Sequence, residues 1–457
     1  MNQQNHPQDS HVNRRDFMKS AALASVGTAL GSLALSGCSG PARAAGFRRI
    51  PDPEPRDVVR IGFVGVGGMG TGHVNNLLRI EGLELVAVCD VVPEHAARSQ
   101  ELAVKAGRRQ PTAYTRGEWD FKRMCDEEDL DLVYTATPWE WHVPVCVAAM
   151  KTGKHAATEV PAAVTVDECW ELVETAERTG KHCIMMENCC YDRSELMVLN
   201  MVRQGLFGEL VYGEGGYMHD LRSVKFSEGG EGLWRRAHAM TRNGNLYTTH
   251  GLGPIAQYMN INRGDRFDFL VSMSCNSRGL QAYAAESFPV DDPRRKEKYV
   301  LGDVNSSLIR TVNGRSILLQ HDTNLPRPYS RLNTIQGTKG IFRGFPDQIH
   351  IDGRTKGHDW EPLDEYRKEF EHPLWKAMQE KAVGAGHGGM DFIEDYRLIH
   401  ALRTGTAPDM DVYDAAAWSA ISELTERSVA NRSRSMDVPD FTRGQWKTNP
   451  PLGIIQG

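Results

Sequence analysis

Cysteine is scarce and unpatterned, nine in 457 residues with no Cys-x-x-Cys pair and no His or Cys spacing that would place ligands around one metal. Neither a disulfide framework nor a zinc site is expected, and no metal is assigned. Vicinal Cys189-Cys190 reads as packing beside a strand end rather than redox chemistry. Beyond the first 45 residues no stretch approaches the roughly 20 apolar residues that a membrane span requires. Blocks of like charge are also missing, and a net charge of -6 over so long a chain gives no reason to expect nucleic acid as a partner. There is no internal repeat and no low-complexity region. What is left is an ordinary globular composition, 40% hydrophobic and 25% charged, for which a small-molecule ligand is the favoured partner.

The N-terminus is of another kind. Asn13-Arg14-Arg15-Asp16-Phe17-Met18-Lys19 precedes a short apolar run of small residues, Ala21 to Leu35, the pattern of a twin-arginine export segment. Leu35-Ser36-Gly37-Cys38 resembles a lipobox, in which Cys38 would carry a lipid and become the mature N-terminus; cleavage near Ala42-Arg43-Ala44 is the alternative. Residues 1–45 are therefore assigned to the leader, and the protein is expected in the periplasm or cell envelope, touching membrane only through Cys38. About 420 residues remain, enough for two domains.

Pro51, Pro53 and Pro55 mark residues 46 to 57 as an extended linker. Val58 to Gly65 then reads as a buried first strand, followed by a helix to about Ile80, a strand from Leu83 to Asp90 and a helix from Glu94 to Ala106. Further strands are predicted at Leu130 to Thr135, His155 to Glu159 and His182 to Glu187, with helices at Val143 to Lys151 and Val166 to Thr179. The alternation predicts an α/β, Rossmann-like, doubly wound parallel sheet within residues 46–188. After residue 189 strands follow one another: Leu210 to His219, Phe267 to Cys275, Ser307 to Val312, Ser316 to Asp322 and Asn333 to Phe342. Asn313-Gly314 signals a type I′ hairpin. With helices at Asp192 to Gln204, Pro373 to Lys381, Gly389 to Ala401 and Val412 to Ala430, residues 189–457 read as a C-terminal α+β domain with an open, largely antiparallel sheet.

The first turn carries Gly65-x-Gly67-x-x-Gly70, where a Cβ would block the tight turn, the approach of a pyrophosphate or the helix-strand contact. Asp90, 20 residues after Gly70 at the end of the second strand, can accept from ribose hydroxyls and repel a 2′-phosphate, and no arginine follows it at Val91-Val92. The cofactor expected is NAD. An exported protein has no cytoplasmic pool to recharge it, which favours a reaction that regenerates the cofactor in every turnover.

Two further segments fall where later strands of such a sheet end: Thr137-Pro138-Trp139-Glu140-Trp141-His142 and Thr158-Glu159-Val160-Pro161. They resemble the T-P-x-x-x-H and E-K-P stretches of the glucose-fructose oxidoreductase/inositol dehydrogenase superfamily, with Val160 standing where that superfamily has its acid-base lysine. Together with Glu187-Asn188-Cys189-Cys190-Tyr191, Tyr217-Met218-His219-Asp220-Leu221-Arg222, and Asn243 through Pro254, they identify the chain as similar to glycoside hydrolase family 109 over essentially its whole mature length. One departure is Thr248, where Pro is expected in Y-P-T-H. The resemblance implies α-N-acetylgalactosaminidase activity, with terminal α-linked amino-sugar glycans as partners. It also implies a route of transient C3 oxidation, elimination, water addition and re-reduction, instead of the usual pair of carboxylates. It implies that Met69, Gly70, Asp90, Trp139, Glu140, Trp141, His142, Glu159, Val160 and Asn188 contact NAD, beside Gly65 and Gly67. Tyr217, Arg235, Tyr247, Thr248, Thr249, His250 and Tyr329 would line the sugar pocket. The residues favoured for chemistry are His250 and Tyr247, then Glu159 and Tyr191. Histidine moves protons near neutral pH, whereas tyrosine would need its pKa lowered.

Plain alternatives stand beside these assignments: a buried structural His250, which precedes Gly251-Leu252-Gly253-Pro254 in a loop-like stretch, strand-packing Tyr217 and Tyr247, a loop anchor at Tyr329, sheet-capping Trp139 and Trp141, a surface charge at Arg235, and a loop leading into a helix at His387. A sugar dehydrogenase with net NAD(H) turnover is the competing function, and a NAD-holding protein without turnover is a third. The resemblance to the superfamily, whose open antiparallel sheets commonly pair face to face, leaves a homo-oligomer open, and no feature of the sequence settles the oligomeric state.

Overall fold

A computed structural model describes residues 50–456, which belong to one compact unit. The export and lipidation signals lie outside the described residues. Among those residues no helix is long and apolar enough to cross a membrane.

The first half begins with β1 (Val59–Val64), whose alternating contacts are buried on both faces, as a central parallel strand requires. It is followed by α1 (Gly68–Leu78), β2 (Leu83–Cys89), α2 (Pro93–Lys105), β3 (Thr112–Tyr114), α3 (Asp120–Glu127), β4 (Leu132–Thr135), α4 (His142–Lys151), β5 (His155–Thr158), α5 (Val166–Thr179) and β6 (Cys183–Met185). The six parallel strands lie in the order β3-β2-β1-β4-β5-β6, the doubly wound arrangement in which the chain reverses between β1 and β4. The boundaries of α5 are those expected from the sequence. Thr165 and Glu168 close a capping box at its start, and Gly180, at φ 69°, ends it.

The second half comprises α6 (Arg193–Arg203), β7 (Leu210–Met218), α7 (Gly232–Thr241), α8 (Thr249–Tyr258), β8 (Phe267–Ser274), β9 (Asn305–Thr311), β10 (Ser316–Asp322), β11 (Thr334–Gly337), β12 (Gly340–Arg343), β13 (Gln348–Ile351), β14 (Glu361–Pro362), α9 (Met390–Thr404), α10 (Val412–Ala430) and β15 (Met436–Asp437). The nine strands are ordered β14-β13-β12-β11-β7-β10-β9-β8-β15, and every neighbour pair is antiparallel except β7 with β10. The long α10 lies against α5 of the first half as well as against β8, and Ser419 and Glu423 on it accept the backbone N–H groups of Ala162 (3.1 Å) and Val166 (2.7 Å).

Three sequence expectations change. The run Asn333 to Phe342 is two antiparallel strands, because the chain turns at Thr338-Lys339. The Asn313-Gly314 hairpin forms without a type I′ turn: only Gly314 is left-handed, at φ 87°, and its N–H donates to the Thr311 carbonyl at 2.9 Å, a type I turn closed by a glycine bulge. The stretch after His250 is helix α8 rather than loop, despite Gly251, Gly253 and Pro254. Its glycines serve packing: a Cβ on Gly251 would lie 2.1 Å from Gly216 N, and one on Gly215 would lie 2.1 Å from the Gly251 carbonyl. This close approach lets α8 rest on β7 and sets His250 beside Tyr217.

Candidate active site

The Gly-rich turn is built to leave space. A Cβ on Gly70 would stand 1.9 Å from the Gly65 carbonyl oxygen, so Gly70 is required for α1 to meet the sheet, and Gly65 is left-handed at φ 81°. A Cβ on Gly67, by contrast, would meet nothing nearer than the His95 ring at 3.8 Å. No side chain caps α1, whose first-turn amides and dipole therefore remain for an anion. Met69 lies half-buried in that turn. Asp90 accepts from the backbone N–H of Val66 through Oδ2 and of Val92 through Oδ1, both 2.9 Å, and so holds the turn from the end of β2. Arg98 of α2 reaches across to the Val66 carbonyl (3.1 Å) and to Thr71 Oγ1 (2.9 Å), a cation at this turn that the sequence reading missed. These features fit a dinucleotide.

The loops after β4 and β5 are fastened to each other by His142. It is wholly buried, with Nδ1 2.8 Å from the Pro161 carbonyl and Nε2 2.8 Å from that of Thr137. Burial lowers its pKa, so a neutral ring donates to one carbonyl at a time. The two tryptophans beside it diverge. Trp141 packs edge-on against Trp119 at 4.9 Å, whereas Trp139 stacks near His238 (5.1 Å) and Tyr247 (5.6 Å) of the second half. Glu140 sits 3.9 Å from His238, and that proximity holds its carboxyl below the usual range. Val160 is buried, and its N–H donates to Glu159 Oε2 at 3.2 Å. Glu159 Oε1 faces His73 Nε2 at 2.7 Å.

Where β6 ends, Glu187 is wholly buried and accepts from the Cys189 N–H (3.0 Å), and its Oε1 meets His250 Nδ1 at 2.7 Å. Burial alone would raise the Glu187 carboxyl, but the His250 charge and hydrogen bond outweigh it and the net shift is downward. With Nδ1 engaged and 13% of the side chain exposed, His250 has Nε2 left for a ligand. Around it stand Tyr247 (ring centroids 4.7 Å) and Tyr217 (5.4 Å), themselves 4.5 Å apart, with Tyr329 6.2 Å from Tyr217. Burial raises the phenols, Tyr217 to about 12 and Tyr247 well above the usual value, so the lowered tyrosine pKa that a base would need is reversed here. Both are neutral, and the Tyr217 hydroxyl lies 3.0 Å from His219 Nδ1. Arg235 is buried rather than a surface charge: its guanidinium lies 5.0, 4.8 and 5.1 Å from the ring centroids of Trp139, Trp234 and Tyr247, and Nε donates to Glu231 at 2.6 Å.

Other candidates are placed elsewhere. The Tyr191 hydroxyl donates to Asp409 (3.1 Å), itself held by Arg397 through two 2.7 Å bonds, which ties Tyr191 into a structural ion-pair network. Thr248 Oγ1 donates to the Trp418 carbonyl at 2.8 Å, anchoring the start of α8 on α10, and Thr249 Oγ1 is buried without a partner. Asn188 Nδ2 donates to Asp391 at 2.8 Å. His387 sits in the loop leading into α9, at φ 48°, with Nδ1 2.8 Å from Asp391. Cys189 and Cys190 are buried and unpaired, as are the other described cysteines except exposed Cys275. Glu187 is the residue most open to detection in the sequence, because it ends the predicted strand His182 to Glu187 as Glu159 ends the predicted strand His155 to Glu159.

Two family models divide the chain between them. Residues 191–448 match the glycosyl hydrolase 109 C-terminal domain, and residues 59–187 match the oxidoreductase family NAD-binding Rossmann fold. The chain is 52% identical over 445 residues to a glycosyl hydrolase family 109 protein of Solibacter usitatus, covering 96% of this chain and 99% of that one. A second such protein, from Shewanella pealeana, is 49% identical over 453 residues, with 97% and 99% covered. Among solved structures, levoglucosan dehydrogenase in complex with NADH and L-sorbose superposes with a TM-score of 0.63 at 21% identity, over 84% of this chain and 100% of that one. A NAD binding oxidoreductase from Klebsiella pneumoniae gives 0.67 at 18%, over 84% and 99%. At such identities these two structures establish the fold.

Proposed function

The chain belongs to glycosyl hydrolase family 109, with NAD as its cofactor, and from that premise we propose that it is an exported α-N-acetylgalactosaminidase acting on terminal α-linked sugars. The observation that carries this reading is the Glu187–His250 pair. It is set among Tyr217, Tyr247 and the aromatic-boxed Arg235, where the strand ends of the dinucleotide sheet meet the second half. When bound, NAD⁺ supplies a hydride acceptor for C3 of the sugar that is restored at the end of each turnover.

The residues divide the remaining work. The C3 ketone acidifies the C2 proton, and His250, held at Nδ1 by Glu187, takes that proton at Nε2 and later returns it. Tyr247, a neutral phenol, donates a hydrogen bond to a sugar oxygen, and Tyr217, its hydroxyl 3.0 Å from His219 Nδ1, lines the pocket beside it. Glu159 stands next to Val160, where the superfamily's lysine is missing, and exchanges the proton of the C3 hydroxyl. Arg235 and Trp139 form a flat, charged wall against which the acetamido-sugar rests. The leader supports export of the folded, cofactor-loaded protein, with Cys38 as its lipid anchor. Val211, Met273 and Leu308, exposed on β7, β8 and β9, suit the pairing of two copies through the open sheet.

The test is incubation of the purified protein, without added NAD, with p-nitrophenyl α-N-acetylgalactosaminide, following nitrophenol and the NADH band together. Many turnovers of nitrophenol with no net NADH are expected. No nitrophenol, but NADH accumulating from free sugars and added NAD⁺, would overturn the reading in favour of a sugar dehydrogenase.

A further inference from the structure

Behind Glu159 lies a group of ionisable side chains that the reaction outlined above leaves unused. His73 projects from α1, its side chain fully buried, between Glu159 (Nε2 to Oε1, 2.7 Å) and Asp395 of α9 (Nδ1 to Oδ1, 2.9 Å). Both ring nitrogens face carboxylates, and only the imidazolium can donate to both. Asn76, nearly one turn along α1, donates to Asp395 Oδ2 at 3.1 Å and fixes its second oxygen. The Tyr134 hydroxyl lies 3.1 and 3.3 Å from the two ring nitrogens. Glu394, adjacent to Asp395 on α9, is fully buried with neither carboxyl oxygen partnered, yet one of its oxygens lies within 4.8 Å of both the imidazole and the Glu159 carboxylate. Of these groups Glu159, with 14% of its side chain exposed, is the one that reaches out of the interior.

A buried ion pair contributes little net stability, since desolvation offsets most of the attraction, so stability alone does not account for one placed here. A carboxylate at a dry site, however, needs a counter-charge and a fixed orientation if it is to exchange protons. We propose that His73 and Asp395 are positioning residues for Glu159, fixing its carboxylate and compensating its charge, with Glu394 as a neutral acid that completes the set. The proposal rests on the glycosidase reading of the site.

The electrostatics agree with the geometry. Burial would lower the His73 pKa, but Asp395 and then Glu159 outweigh it and raise the ring well above its ordinary value. Burial, followed by the Glu159 charge, pushes the Glu394 carboxyl well up. Burial also raises Asp395, yet the two donors it accepts from are those a carboxylate satisfies, and the ion pair is the arrangement supported. The other ionisable groups facing this set are Asp391 on α9, His387 in the loop before it, Tyr134 on β4, and Cys190 and Tyr191 in the turn after β6.

The test uses the full NAD-loaded protein and the variants His73→Gln, Asp395→Asn and Glu394→Gln. Histidine-selective ¹⁵N NMR, with the His73 signals identified by their loss in His73→Gln, is expected to show both ring nitrogens still protonated well above the ordinary histidine range in the parent, and the ring losing its proton at lower pH in Asp395→Asn. In kinetics His73→Gln is expected to lower kcat about 10-fold to 100-fold, the range found when a group that orients a functional ligand is removed. KM should stay within about threefold. Asp395→Asn should lower kcat in the same way by less. If His73→Gln does not fold, Asp395→Asn and Glu394→Gln carry the kinetic test. A His73 ring that titrates at its ordinary value, or variants that leave kcat unchanged, would overturn the proposal. Should the parent cleave no α-N-acetylgalactosaminide, the functional reading fails, and the NMR titration still decides whether His73 is held charged.

Discussion

Two histidines in this protein are each gripped by a buried carboxylate, and their surroundings set them to different tasks. His250 has one carboxylate, Glu187, on Nδ1 and keeps 13% of its side chain exposed. His73 has a carboxylate on each ring nitrogen and is sealed. A ring with one nitrogen free can pass a proton to a ligand, while a ring with both nitrogens engaged holds its neighbours still. The neighbours differ accordingly: among the described residues no carboxyl group but Glu187 meets the His250 ring amid its aromatic neighbours, whereas three carboxyl groups, with the phenol of Tyr134, surround His73.

The largest effect should come from breaking the first pair. His250→Ala is expected to lower kcat by about 10² to 10⁴, the span of a lost acid-base group, with the NAD content of the purified protein unchanged. Glu187→Gln should cost less, about 10-fold to 100-fold, because it leaves the ring in place and removes only its orienting partner. Steady-state assays paired with an extracted-NAD measurement check both; a Glu187→Gln protein of full activity would mean that Glu187 only caps the 188–191 turn.

Glycine substitutions separate the regions through the backbone. Gly70→Ala would drive α1, which carries His73, off the sheet, and Gly251→Ala would drive α8, which carries His250, off β7, because the new Cβ atoms would stand 1.9 and 2.1 Å from backbone atoms. Each overpacking is expected to cost more than about 3 kcal/mol. Gly70→Ala should lose NAD, whereas any folded Gly251→Ala should retain it and lose activity. Gly67→Ala, with no protein atom in the way, should fold and lose NAD. Denaturant titration with NAD quantification distinguishes the three.

The smallest effect expected is a difference in pH dependence. Glu187 is depressed below 4.5 when folded, so its contribution is present above that value and is lost as pH falls through the folded one. His73 and Glu394 are raised, from 6.5 and 4.5, so their contributions are complete below those values and are lost as pH rises through the folded ones. Melting temperature should therefore decline on the acid side through Glu187 and on the alkaline side through the His73 group. Glu187→Gln should flatten the acid limb and Glu394→Gln the alkaline one, read by calorimetry from about pH 2 to pH 9. Limbs that exchange these roles would contradict the assignment.

Much of this was legible along the chain. Short-range physics sufficed for β1, the Gly-rich turn, Asp90 and α5, because apolar runs, positive-φ glycines and a capping box act within one element. The motifs also carried His250, Tyr247, Tyr217 and Arg235, which the fold gathers within one cluster. Local rules failed at α8, where Gly251, Gly253 and Pro254 discourage a helix and packing against β7 and Trp418 overrides them. They failed again at Asn333 to Phe342, where an apolar pattern without Gly-Pro punctuation concealed a turn.

The sequence by itself determined the two-part architecture, the dinucleotide turn and the family, because those depend on residues close together in the chain. Only the tertiary structure decided which carboxylate serves which histidine. Glu187 lies 63 residues from His250 and Asp395 lies 322 from His73. Burial, which kept Tyr217 and Tyr247 neutral and left Glu394 without a partner, is a property of the packed interior that no local pattern encodes.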